Sequence, residues 1–266
     1  MAQITSFDRR RVNGPDDSFP PIFSDEDQPG SSSSSPLQRE SRKPKDIRPI
    51  FLQTGLITQA NGSAYIETGN SKVVCAVYGP RQAKNTSYSE KGKLNVEVKF
   101  APFASQRRKV PNRYLQDAED RSLAVLIHQA IVPSVRLELF PKSSMDVFLT
   151  VIENDGIQSC GTAGTIAASA ALADAGIEML GLVVSCAGSV MSNGEIWLDP
   201  TTRELEHSRA SLTLSCMPAL GLITNVSQTG QVTPQEAIQC MDACEERCSD
   251  IHMVVASALH KNQSAL

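Results

Sequence analysis

The chain has 266 residues, of which 41% are hydrophobic and 20% charged, with a formal net charge of −4. That length supports one large domain or two small ones with a real core, and the balance is that of a soluble globular protein rather than a fibrous or disordered one. The acidic balance excludes a generic basic coat for nucleic acid, so any RNA contact must come from a local patch. No apolar run approaches the roughly 20 residues of a membrane span, and the stretch from Met1 to Arg11 lacks the apolar segment of a secretory signal.

In chain order, residues 1–46 read as a disordered N-terminal tail, rich in proline and acid and carrying the run Ser31 to Ser35. A folded domain over 47–266 follows. Strands are expected at 51–57, 62–69 and 72–78, with a Gly69-Asn70 turn between the last two. Residues 81–92 are polar and read as a loop, and 94–100 alternate as a half-buried strand. A helix over 115–132 ends against Pro133. A strand over 145–152 precedes an alanine-rich helix over 161–175, closed by Gly176. Strands over 182–187, 194–200, 212–217 and 220–227 follow. Thr233-Pro234-Gln235-Glu236 then opens a last helix with an N-cap threonine, a proline at the first position and a glutamate at the third. This order defines an α+β (mixed α/β) domain with helices packed on a mixed β-sheet.

The chemistry-bearing residues narrow the function. The four histidines form no His-x-x-x-His pair, which excludes a zincin-like metal site, and no P-loop, G-x-G-x-x-G or Gly-x-Ser-x-Gly elbow occurs. The seven cysteines are an odd number set mostly in apolar segments, which fits reduced buried thiols. Cys240, Cys244, Cys248 and His252 recur every four residues. Four ligands rising along one helix cannot close a tetrahedron, so the stripe reads as core. Gly161-Thr162-Ala163-Gly164 opens the alanine-rich helix and reads either as an anion site or as close helix–sheet packing. The densest positive cluster is Arg107, Arg108, Lys109 and Arg113, on a loop after a strand. It is the candidate RNA-binding surface, suited to a phosphate backbone; the alternative is a solvated loop.

The segments Arg48-Pro49-Ile50, Gly62-Ser63-Ala64, Lys72 to Pro80, Ala101-Pro102-Phe103 with its following cations, Ala171 to Ile177 and Met217-Pro218 together resemble RNase PH domains over about residues 48–260. Arg9 to Asp16 further resembles the mRNA-transport-type ring subunit of the eukaryotic RNA exosome. The resemblance implies an RNase PH-like fold of the ribosomal protein S5 domain 2 type. Active members of that family cut RNA from its 3′ end with inorganic phosphate, using two arginines to hold the anion. Two aspartates six residues apart hold a divalent ion or move a proton. Counting back from Ala171 to Gly176 places Gly161 at the second arginine position, and no arginine occurs between Arg136 and Arg203. Glu119 aligns with the first arginine, with Arg121 nearby as an alternative. Leu205 and Ser211 fall at the aspartate positions.

The resemblance therefore implies a catalytically inactive homologue, with no catalytic residues, no metal and no cofactor. It would sit in a hetero-hexameric ring of paralogous RNase PH-like subunits, under a cap of RNA-binding subunits. It would contact single-stranded RNA, in nucleus, nucleolus and cytoplasm, away from membranes. The competing readings are an active phosphorolytic 3′ exoribonuclease and an unrelated α+β domain with a thiol site.

Overall fold

The computed structural model describes residues 39, 42–82, 89–105 and 118–263. The elements run β1 (Ile50–Thr54), β2 (Gly62–Thr68), β3 (Ser71–Gln82), β4 (Lys93–Phe100), α1 (Ala118–Ile131), β5 (Ser143–Glu153) and α2 (Ile157–Asp174). They continue with β6 (Val184–Met191), β7 (Ile196–Leu198), α3 (Thr202–Glu206), β8 (Ser208–Met217), β9 (Leu222–Gly230) and α4 (Pro234–Gln263).

Two sheets result. The first has the order β1-β2-β3-β5-β4, antiparallel except that β4 runs parallel to β5. Parallel neighbours need a crossover, and α1 supplies it. Val73, Cys75 and Val77 of β3 and Met145, Val147, Leu149 and Val151 of β5 are almost wholly buried. Their period of two sets one apolar face against the helices.

The second sheet, β7-β6-β8-β9, is antiparallel throughout. Residues 184–191 and 210–217 are buried without alternation, which requires cover on both faces. The pairing explains how. Gly188 pairs with Leu212 and Ser189 with Ser211, so Gly188 and Ser211 point to opposite faces. Gly188 lies directly under the Cys240 and Cys244 sulfurs of α4, whereas Ser211 accepts a hydrogen bond from Gln158 of α2. Helix α2 thus runs between the sheets, with fourteen of its residues buried. Small side chains permit this: a Cβ on Gly164 would stand 2.7 Å from Ile127 Cδ1 of α1.

All seven cysteines are buried and unbridged. Cys240, Cys244 and Cys248 are 0% exposed and belong to one core cluster with Cys186 and Cys216. Burial pushes the Cys160 thiol up to about 12 and raises Cys75 beyond that. The stripe fills the α4–sheet contact with buried sulfurs.

The expected elements are all present with shifted ends. Helix α2 begins at Ile157, four residues earlier than anticipated, so Gly161-Thr162-Ala163-Gly164 occupies its interior and offers no helix N-terminus to an anion. Pro133 ends α1 in a 3₁₀ turn. The Thr233 cap is present: Glu236 N donates to Thr233 Oγ1 at 3.4 Å, and Thr233 N donates to Glu236 Oε2 at 3.0 Å.

Candidate functional site

A cleft of about 1600 Å³ opens between α1, the start of α2, α3 and the β8–β9 pair. Helix α1 presents Glu119, Ser122, Leu126 and Gln129 to it, the i, i+3, i+7 and i+10 positions of one helical face. Gly156 begins the opposite wall with φ +113, and the turn delivers Gln158 into the cleft. Helix α3 adds Arg203, Leu205 and Glu206, while β8 and β9 add Ser211, Thr213, Ser227 and Thr229.

The four positions singled out by the sequence converge only in part. Glu119, Leu205 and Ser211 do line this one cleft. Gly161 does not: a Cβ there would meet Leu123 Cδ2 at 3.4 Å and Leu126 Cδ2 at 3.5 Å, in the α1–α2 contact. The α2 residues that reach the cleft are Ile157 and Gln158, and the Gln158 amide donates to Ser211 Oγ, itself 2.8 Å from Thr229 Oγ1. Gly161 lies one turn further along α2 than Gln158. Arg121 is exposed and is not part of the cleft wall. Arg203 is the one cation among the described lining residues, and Glu119, Asp155 and Glu206 are its acids. Arg107, Arg108, Lys109 and Arg113 lie outside the described residues. The described neighbours of that loop, Ser105 and Glu119, both line the cleft.

Beneath the cleft sits an ion network that spacing in the sequence does not signal. Arg48 is 9% exposed. Its backbone N, Nε and Nη2 donate to the Asp199 carboxylate at 3.0, 2.7 and 2.6 Å, its Nη1 to Asp155 at 2.6 Å, and its Nη2 to Ser159 Oγ at 2.8 Å. Burial opposes the charge on Asp199, yet the hydrogen bonds and charge of Arg48, helped by Arg42, hold its carboxyl below the usual range. Asp199 adopts φ +49 to meet them. It is thus the hub of the network and not merely the end of a strand.

Among the described residues, packed contacts reach back to Arg39, inside the stretch expected to be tail. Its guanidinium forks onto Glu204 at 2.9 and 2.8 Å, donates to Leu198 O at 2.7 Å, and lies 5.0 Å over the Trp197 ring. Arg42 donates to Asp199 O at 2.8 Å and to its Oδ2 at 3.2 Å. Helix α3 was missed at sequence level. Its signal was Thr201-Thr202-Arg203-Glu204, a capping box whose glutamate also accepts from Thr201 N at 2.9 Å.

A two-sheet α+β body with a wide, hydroxyl-lined cleft where both sheets and two helix ends meet is the class of molecule that the fold and site define. The model of the "3' exoribonuclease family, domain 1" (RNase PH) matches residues 46–178. "Exosome complex component mtr3" of Schizosaccharomyces pombe is 34% identical over 257 residues, 95% of each chain. "Exosome complex component Rrp41" of Methanopyrus kandleri is 35% identical over 225 residues, 84% of this chain and 92% of that one. Among solved structures, the Archaeoglobus fulgidus "exosome with RNA bound to the active site" superposes with a TM-score of 0.69 at 19% identity, covering 79% of this chain and 89% of that one, a likeness of fold. The chain belongs to the RNase PH family.

Proposed function

We propose that this chain is a non-catalytic subunit of the RNA exosome core ring, which helps to form the RNA path and leaves cutting to other components. The mtr3 relative, similar over nearly the whole chain, supports the assembly. The observation that supports the loss of chemistry is the cleft lining: Glu119, Leu205 and Ser211, at positions to which the resemblance assigns an arginine and two aspartates, line the cleft together with the neutral Gln158. A glutamine and a serine bonded to each other are neutral. Leucine ligates no metal. Asp155 at the rim and the buried Asp199 beneath the cleft are both already paired with Arg48. Attack of one anion on another lacks the charge compensation that makes it fast in a dry site.

Three further assignments belong to this reading. The partners are paralogous RNase PH-like subunits in a hetero-hexameric ring and the RNA-binding cap subunits. The loop residues Arg107, Arg108, Lys109 and Arg113 touch the phosphate backbone of single-stranded RNA. The protein works in nucleus, nucleolus and cytoplasm.

The active-enzyme reading draws on the family's description as 3′ exoribonucleases and on the archaeal relative. Equilibrium dialysis with labelled inorganic phosphate separates the two. The isolated chain should retain none; saturable retention lost on changing Gln158 or Ser211 would favour the enzyme. For the assembly, a tagged chain purified from cells should carry ring and cap subunits, and recovery as a lone monomer would contradict it. In the assembled complex, changing Arg107, Arg108 and Lys109 to glutamate should leave the ring intact and weaken RNA binding. Each lost phosphate contact should flatten the log–log salt slope by roughly 0.7. An unchanged affinity and slope would mean that the loop is only a solvated surface.

A further inference from the structure

We propose that Arg39 and the segment from Arg42 to Arg48 form a releasable charge clasp that sets the position of the α3 wall, and hence the width of the cleft. Helix α3 is a five-residue element with little apolar anchorage of its own: Thr202, Arg203 and Glu206 are exposed and Leu205 is half-buried. What fixes it is ionic. Its one buried residue, Glu204, takes the full fork of Arg39 and lies 3.6 Å from Arg42. The residues that lead into it, Leu198 and Asp199, give their carbonyl oxygens to Arg39 and Arg42. A single backbone bond, Leu198 N to Pro44 O at 2.8 Å, ties the strap to β7.

The same short helix carries Arg203, Leu205 and Glu206 into the cleft, opposite Val125 and Leu126 of α1. The strap therefore acts on the cleft through α3 without touching it with Arg39. A five-residue helix whose long-range ties are chiefly side-chain ion pairs opens at lower free energy than the sheets, whose strands are bonded along their length. The clasp and α3 should move as one unit while both sheets, β7 included, stay closed.

The chain contains its own reporter. Trp197 is the one tryptophan, is 5% exposed, and lies under the Arg39 guanidinium. The seven native cysteines are buried, so spin labels attached at Val125→Cys and Arg203→Cys would measure the cleft from α1 to α3. The test compares the doubly labelled full chain with and without Arg39→Ala/Arg42→Ala. Arg39→Lys serves as a milder variant that keeps the charge and loses the fork.

The expected result is a red-shifted, more quenchable Trp197 and a broader, longer α1–α3 distance distribution. Amide exchange over Thr201–Glu206 should rise by about an order of magnitude, with exchange in β3 and β5 unchanged. If Trp197 becomes exposed while the α1–α3 distance stays fixed, the strap does not set the wall and the proposal fails. If exchange rises equally in β3, β5 and α3, the strap is part of the global fold and not a separate clasp, and the proposal fails as well.

Discussion

Replacing Gly188 by alanine tests whether the thiol stripe of α4 is packing material. The added Cβ would stand 2.5 Å from Cys240 Sγ, 3.3 Å from Cys244 Sγ and 3.4 Å from Leu198 Cδ2. Non-bonded heavy atoms sit best about 3.5–4.0 Å apart, so the Cys240 sulfur must retreat by about 1 Å, and α4 with it. Overpacking of this kind costs about 1–3 kcal/mol. Cys240→Ala alone removes a fully buried sulfur and should cost about 1 kcal/mol, near the value of one buried methylene-sized group. Together the two changes exchange the sulfur for the methyl. The double variant should be more stable than the sum of the singles by about 1–2 kcal/mol, the range of coupling seen for touching residues. Urea denaturation reads this directly: at a slope near 2 kcal/mol/M, Gly188→Ala should lower the midpoint by about 1 M, and adding Cys240→Ala should lower it no further and recover up to about half of the loss. Strict additivity would refute the packing argument. A ligand role for the stripe makes the opposite forecast, with Cys240→Ala the more damaging change and no rescue by alanine at 188.

Two further predictions concern the ion network. Asp199→Ala should cost about 3–5 kcal/mol, because it strands the buried Arg48 cation, whereas Asp155→Ala, which removes one contact at a rim position, should cost about 1–2 kcal/mol; equal losses in denaturant midpoints would contradict the hub role of Asp199. Folding holds the carboxyls of Asp199 and Glu204 below their ordinary values, in each case because arginine partners outweigh the burial that opposes them. A depressed carboxyl stabilises the fold above its unfolded value, about 4, and that contribution fades as pH falls through the folded value. Glu204→Gln should therefore flatten the decline of stability below about pH 4 and lower stability at neutral pH; an unchanged acid profile would refute the linkage.

How much of this was legible in the sequence differs from element to element. The strands declare themselves through alternation, as in Leu94, Val96, Val98 and Phe100, and α4 through its Thr233–Glu236 cap. Strand β8 is misleading in a physically informative way. Leu212, Leu214 and Cys216 alternate with Ser211, Thr213 and Ser215, which reads as half-exposed, yet both faces are buried. The hydroxyl face is satisfied internally: Ser185 donates to Leu214 O at 3.0 Å and Ser215 to Ser185 at 3.1 Å. Leu205 and Ser211, reached by counting on from β7, do line the cleft, because α3 and β8 follow β7 without a break. Gly161 lies away from the cleft because α2 starts earlier than its alanine run suggests, and only the helix phase reveals that Gln158 faces the cleft. The arginine network was not legible at all. Its partners are separated by 107 to 165 positions, and local pattern carries no information across such distances.

The most direct test of a non-catalytic subunit is product release. Labelled single-stranded RNA should be incubated with the purified chain, magnesium and inorganic phosphate, and the products resolved by chromatography, with an active phosphorolytic relative as the positive control. No nucleoside diphosphate should appear above the enzyme-free background, at any phosphate concentration. Phosphate-dependent release of nucleoside diphosphates that disappears when Gln158 or Ser211 is replaced would contradict the account at its centre.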